Sequence, residues 1–310
     1  MFRYLVRRLL QMILVFVATT FIVYSLMYAT GGDPIQALAG ERPVSDTLRA
    51  QLTKEYGLDQ PFLVRYWNYL TGLLQGDFGK SLTGREIGGA EGIIATALPV
   101  TAKLALIAVI TTILIGVTAG ILAAIRRGGI FDNSTLVLTL IIIGIPTVVL
   151  APLAQLIFTI KLPWFPTTAG EGTIYALLLP GIILGALSVA TAMRLTRASF
   201  TENQQSDYVR TARSKGLPTR RVIGVHVLRN SLIPIVTFLG IELGSLMAGA
   251  IVTEGVFNVP GIGFNLFRGL QTEDTPLVVG LVSVLVIIFL LANLIVDMLY
   301  AVLDPRIRYE

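Results

Sequence analysis

Asp207-Tyr208-Val209-Arg210-Thr211-Ala212-Arg213-Ser214-Lys215-Gly216-Leu217-Pro218-Thr219 is a polar stretch with the marks of a short, self-contained helix, set between two long apolar runs. Asp207 suits the positive N-terminal end of a helix, and Arg213 and Lys215 suit its negative C-terminal end. Gly216 is a natural stop, and Pro218 prevents continuation. Thr219 is placed to cap a second helix that runs through Val222, Ile223 and Val227 into the next apolar run. A loop that only sets topology needs positive charge. It does not need a helix, a glycine stop and a proline restart, so the spacing predicts a docking element within the 197–230 connection.

The apolar runs on either side belong to a membrane protein. The chain has 310 residues, of which 54% are hydrophobic and only 14% charged, whereas a soluble domain carries roughly a quarter. A helix crossing the hydrocarbon needs ~20 apolar residues. Six stretches qualify, at about Leu9–Thr30, Val100–Ile125, Ser134–Ile160, Tyr175–Thr196, Ser231–Thr253 and Leu277–Leu303. Arg3, Arg7 and Arg8 before the first run resemble a signal peptide, but the run exceeds the ~7–15 residues of a signal's apolar region. It reads as an uncleaved first span.

Six spans also put the basic residues in order. Arg3, Arg7 and Arg8, then Arg126 and Arg127, then the eight from Arg194 to Arg229, then Arg306 and Arg308 fall on one side: fifteen of the twenty-four Lys and Arg. That side is the cytoplasm, which places both termini there. The expected organisation is a first transmembrane helix at 1–30, an extracytoplasmic helical segment at 31–98, and a five-helix core at 99–310 that carries the 197–230 loop. In the long connection Leu48, Leu52, Phe62, Leu63, Tyr66, Trp67, Leu70, Leu73 and Leu74 recur at helical spacing. Two short amphipathic helices capping the outer mouth of the bundle are the expectation, the second starting near Asp59 and Pro61.

Gly116–Gly120, Gly181–Gly185 and Gly240–Gly244 are spaced for close helix approach. Pro146, Pro152, Pro180 and Pro234 free carbonyls and permit bends. There are no cysteines and one histidine, His226. Thiol chemistry is excluded, and neither a catalytic set nor a metal site emerges. His226 reads as a surface or interface residue. Gly79-Lys80-Ser81 resembles the end of a phosphate-binding loop, but the pattern needs glycine at position 74, which is Leu74. Two acids fall inside spans, where an ionised carboxylate costs ~2.5–3.5 kcal/mol on insertion scales and must face the bundle interior or water. Glu242, beside Gly240–Gly244, is the better pathway candidate. Asp297 reads as a tie between helices, with Asn293 one turn away as its expected partner.

The Asp207–Leu217 stretch resembles the cytoplasmic EAA loop of binding-protein-dependent ABC importer permeases, most of all the oligopeptide/dipeptide/nickel class. Arg210, Thr211 and Ala212 occupy the E-A-A positions, and Gly216 is the motif's glycine. Arg7-Arg8-Leu9-Leu10, Gly32-Asp33-Pro34, Tyr56-Gly57-Leu58-Asp59-Gln60-Pro61, Gly76-Asp77-Phe78-Gly79-Lys80-Ser81, the Glu254–Gly263 stretch, Asn293-Leu294-Ile295-Val296-Asp297 and the Leu303–Tyr309 end resemble the family in order along the chain. The resemblance implies an all-α polytopic fold of six transmembrane helices, the type I ABC importer transmembrane domain. It implies a coupling set of Asp207, Tyr208, Arg210, Thr211, Ala212, Lys215, Gly216 and Leu217; the polar residues inside the spans add Glu242, Asp297 and Asn293 as pathway candidates. It also implies a second homologous permease subunit, two ATP-binding cassette subunits that hold ATP and magnesium, and an extracytoplasmic substrate-binding protein. No cofactor and no nucleic acid is expected on this chain, which sits in the cell membrane. The competing readings are an ion-coupled secondary transporter, which calls for internal repeats and mid-membrane acids, and an intramembrane hydrolase, for which the spans lack the residues.

Overall fold

The computed structural model describes residues 2–30, 35, 45–170 and 172–303. Gly32-Asp33-Pro34, Asp304–Tyr309 with Arg306 and Arg308, and the side chains of Arg3, Leu48 and Leu303 lie outside the described residues. Helices follow one another along the chain: α1 (Phe2–Thr30), α2 (Asp46–Glu55), α3 (Phe62–Leu74), α4 (Ile93–Thr111), α5 (Thr118–Ile125), α6 (Ile130–Gly144), α7 (Thr147–Gln155), α8 (Ile174–Gln204), α9 (Asp207–Ser214), α10 (Thr219–Arg221), α11 (Leu228–Ser231), α12 (Ile233–Gly249), α13 (Ile251–Phe257), α14 (Ile262–Gln271) and α15 (Thr275–Leu303). Turns of π-helix at Thr112–Val117, Leu156–Lys161 and Val222–Val227 continue α4 into α5, extend α7, and join α10 to α11.

Four helical runs are long and apolar enough to cross a membrane without interruption, and two bent pairs bring the number to six. Side-chain contacts fix the direction of each. Gly181 and Gly185 of α8 lie against Ile107 and Ala108, while Gly116 and Gly120 lie against Val189 and Met193. Both sequences rise together, so α4–α5 and α8 run parallel and begin on the same side. The α6–α7 pair between them must therefore carry the chain back across. Ser199 meets Ser231 and Ser188 meets Glu242, so α12 runs against α8. Gly240 and Gly244 meet Val296 and Ala292, so α15 runs against α12. Arg8 meets Asp297, which sets α1 against α15. The chain crosses six times, and α9 lies on the side where α1 begins.

The expected third span, Ser134–Ile160, is not one straight helix. Its halves α6 and α7 meet at 103°. Ile145 is extended, at φ −99° and ψ 116°, because Pro146 behind it bars the α conformation. Pro99, Pro152 and Pro180 sit inside helices that continue past them. The fifth span bends by only 41°, between Ser231 and Ile233, with Pro234 in the first turn of α12.

Lipid supplies little drive for helices to associate, so packing geometry must supply it. The glycine pairs do this. A Cβ on Gly116 would come 2.8 Å from the Val189 carbonyl oxygen, and one on Gly185 would come 2.9 Å from that of Ala108. The main apolar core joins Leu104, Ala105 and Ala108 of α4 to Leu177, Ile183 and Leu184 of α8, and to Leu246, Ala250 and Phe257 near the end of span five.

The first connection is helical as expected, but α3 does not sit over the mouth of the bundle. It lies beside the spans: the Tyr66 hydroxyl donates to the Val17 carbonyl at 2.9 Å, and Tyr69 meets Ser283 at 2.7 Å.

Candidate coupling and pathway sites

Helix α9 has two unlike faces. Val209 and Ala212 are buried in a small cluster with Ala124 at the end of α5, Phe200 near the end of α8, and Val222 and Val227 beyond the turn; Leu217 packs against it. Asp207, Tyr208, Arg210, Thr211, Arg213, Ser214, Lys215 and Gly216 are exposed. The apolar face of this short helix is packed on three span ends, and its other face is exposed. Of the expected coupling set, Ala212 and Leu217 therefore point inward as anchors, and the other six face out. The Asp207–Arg210 pair, at 3.4 Å with both side chains largely exposed, adds little to stability. Tyr208 donates to Asn203 Oδ1 at 2.5 Å, tying the exposed face to the end of α8.

Gly216 ends the element as the spacing predicts. It sits at φ +73°, and its N–H donates to the Arg213 carbonyl while Leu217 N–H donates to that of Ala212. Thr219 does not cap the next helix. It is the first residue of α10, preceded by Pro218, and no side chain caps that end. Pro218 sets the extended entry that a capping threonine was expected to provide. His226 is half-buried in the π turn that follows.

Close by is an ion pair that the sequence did not single out. Arg197 reaches both carboxylate oxygens of Asp132, at 2.5 and 2.8 Å, and Gly128 N–H donates to the same carboxylate at 2.9 Å. Asp132 is buried, and a quarter of the Arg197 side chain remains exposed. The pair locks the start of α6 to α8, one turn before Phe200 and the α9 cluster. Arg197→Leu would strand a buried carboxylate. With discount for the nearby solvent, the expected loss is about 2 kcal/mol, seen as a lowered melting temperature of the purified protein. Adding Asp132→Leu should recover part of it.

Among the pathway candidates, Glu242 accepts a hydrogen bond from Ser188 Oγ at 2.5 Å where α12 meets α8, and it is half-buried. Asp297 is paired with Arg8 at 2.8 Å and so ties span six to span one. Asn293 is not its partner: its amide donates to the Phe289 carbonyl on its own helix at 2.8 Å. At α-helical pitch the Asn293 amide is closer to the carbonyl one turn back than to a side chain one turn ahead.

Two further buried acids organise the opposite side of the membrane. Glu254 is fully buried, accepting from Thr101 Oγ1 at 2.7 Å and from Phe264 N–H at 2.9 Å. Thr101 in turn accepts from Ile262 N–H at 2.8 Å. The start of α14 is thus pinned to α4. A Cβ on Gly261 would lie 2.4 Å from both Glu254 oxygens, which explains the glycine there. Asp274 accepts from Leu277 N–H at 3.1 Å, capping α15, and from Ser81 Oγ and Leu82 N–H. It fastens the first connection to the last span. The readable signal for Asp274 was an acid just before Thr275-Pro276 and an apolar run, a helix-start pattern. Glu254 stood in the Glu254–Gly263 stretch without an assigned role.

A helical bundle of six crossings, with a half-buried polar contact between spans and a short helix exposed on one surface, has the architecture of a membrane transport protein. The chain belongs to the family described as binding-protein-dependent transport system inner membrane component, whose model matches residues 116–309; the family's N-terminal component matches residues 1–86. It is similar over its whole length to the whole of the di/tripeptide transport system permease protein DppB of Pseudomonas aeruginosa, at 34% identity, and of the dipeptide transport system permease protein DppB of Escherichia coli, at 35%. It is likewise similar, at 36% identity over both full chains, to the glutathione transport system permease protein GsiC of Salmonella choleraesuis. The chain is a multi-pass membrane permease and not an enzyme.

Proposed function

We propose that this chain is one permease subunit of an ATP-driven importer of short peptides. The observation that carries this reading is α9: a helix anchored by Val209 and Ala212 to three span ends, with a polar face turned outward. Two nucleotide-binding subunits, which hold ATP and magnesium, receive that face. A second, homologous permease completes the translocation pathway, and an extracytoplasmic binding protein delivers the substrate. The basic residues around α9 support a cytoplasmic position for it and for both termini. The three relatives carry dipeptides, di/tripeptides or glutathione by name, which supports a short peptide as cargo here.

Transport then follows alternating access. ATP closes the cassette pair, α9 is carried with it, and the span ends packed on α9 shift between two arrangements. Glu242 is the polar group offered to the pathway. Glu242→Gln should lower uptake or change which peptides compete, with assembly unaffected; full uptake with the same competition profile removes Glu242 from the pathway.

Purifying the tagged chain from its own membrane tests the assembly. A related permease and a pair of nucleotide-binding subunits should accompany it. A chain that comes out alone, or only with copies of itself, contradicts the reading and favours an ion-coupled carrier.

A further inference from the structure

Helix α3 has three distinct flanks. Phe62, Tyr66, Tyr69 and Leu70 pack on Tyr24 and Val279 of α1 and α15. Arg65 and Asn68 turn to an open cavity of about 510 Å³ that they share with Tyr28, Lys54 and Lys80. The remaining flank is apolar and uncovered: Leu63 is 67% exposed, Trp67 63% and Leu74 83%. At 100° per residue these three lie within about 40° of one another.

The depth of α3 decides what meets that flank. The Tyr66 hydroxyl bonds to the Val17 carbonyl and to Thr20. Val17 is eleven residues, or about 16 Å, inside the Tyr28 end of span one. Tyr69 reaches Ser283, eight residues or about 12 Å into α15. A tyrosine side chain spans part of those distances, so the α3 backbone lies several ångströms below the span ends, the depth of an interfacial helix. The flank is also continuous with the outside of span one. Phe21 meets Phe62 and Tyr66 edge to face and is itself exposed, as are Ile22 and Leu26. A tryptophan on the apolar side and an arginine on the polar side match the layering of the membrane–water boundary.

We propose that the Leu63–Trp67–Leu74 flank of α3 is a phospholipid-contacting surface, seated in the acyl chains just below the headgroups of the leaflet on its side. In the orientation proposed above this is the outer leaflet. The occupant is lipid, so this flank is unavailable to a binding protein or a second permease, and α3 fixes the depth of span one.

The chain has no cysteine, so a single nitroxide can be placed on it cleanly. Trp67→Cys, with Leu63→Cys, Leu74→Cys and Asn68→Cys in separate chains, would be spin-labelled, assembled with the partner subunits and reconstituted in phospholipid nanodiscs. Collision rates with oxygen and with a water-soluble nickel chelate are then read. At 63, 67 and 74 the oxygen-to-nickel ratio should exceed that at 68 several-fold. A high nickel rate at 67 places the flank in water, and low rates with both reagents place it under another protein; either result overturns the proposal. Three flank positions are read in parallel, so the loss of one variant to misfolding leaves the outcome intact.

Discussion

Gly216→Val should cut energised uptake about tenfold or more while leaving the permease assembled and ATP hydrolysis running. Space is not the reason, since nothing lies within 4 Å of a Cβ added to Gly216. The reason is φ at +73°, where an L-residue pays about 1–2 kcal/mol and a β-branched one more. The chain relieves that strain by rotating φ, which breaks the Gly216 N–H bond to Arg213 and the Leu217 N–H bond to Ala212. Leu217 then leaves the cluster that holds α9 to Phe200 and Val222. The docking helix survives but no longer reports on the spans. Uptake in proteoliposomes should fall by about tenfold or more, the equivalent of the strain energy. Gly216→Asn is the control, because asparagine tolerates this conformation and should keep most of the uptake. Equal uptake by the valine and wild-type chains would show that Gly216 has no part in coupling.

The second large effect is on folding. Gly120→Leu should prevent stable assembly. Its Cβ would come 2.6 Å from the Met193 carbonyl oxygen and 2.7 Å from Thr196 Cβ. The carbonyl is backbone and cannot turn aside, so α5 and α8 must separate. The contact with α8 that Gly116 and Gly120 share is lost along with it. Overpacking alone costs about 1–3 kcal/mol, and lipid offers no hydrophobic compensation between spans. Protein recovered after detergent extraction should drop sharply and elute as aggregate. Gly144→Ala serves as the comparison, since no atom lies within 4 Å of a Cβ there.

What the sequence made legible follows from the range of the forces involved. Local rules placed a helix over Asp207–Lys215 with its stop at Gly216, one residue longer than the observed Asp207–Ser214, because both depend on residues a few positions apart. Hydropathy and the distribution of arginines fixed six crossings, because the bilayer imposes one length on every span. The G-x-x-x-G pairs proved to be packing contacts. The bend at Ile145–Pro146 was half legible: the proline marks a break, but only tertiary packing sets the angle at 103°. The long-range polar ties were not legible. Asp132–Arg197, Arg8–Asp297 and Glu254–Thr101 join residues 65, 289 and 153 positions apart, and no local pattern pairs them. The position of α3 failed to emerge for the same reason. Its amphipathic pattern gives a buried face but not the neighbour it is buried against.

This permease is expected to move substrate only when a partner drives it. The direct measurement is uptake of a labelled dipeptide into proteoliposomes that contain this chain, with and without its permease partner, the two nucleotide-binding subunits and the binding protein. Uptake should require the complete assembly and ATP at the face that carries α9, and should be indifferent to proton or sodium gradients. Accumulation by the chain without nucleotide-binding subunits, driven by an imposed ion gradient, would contradict that expectation.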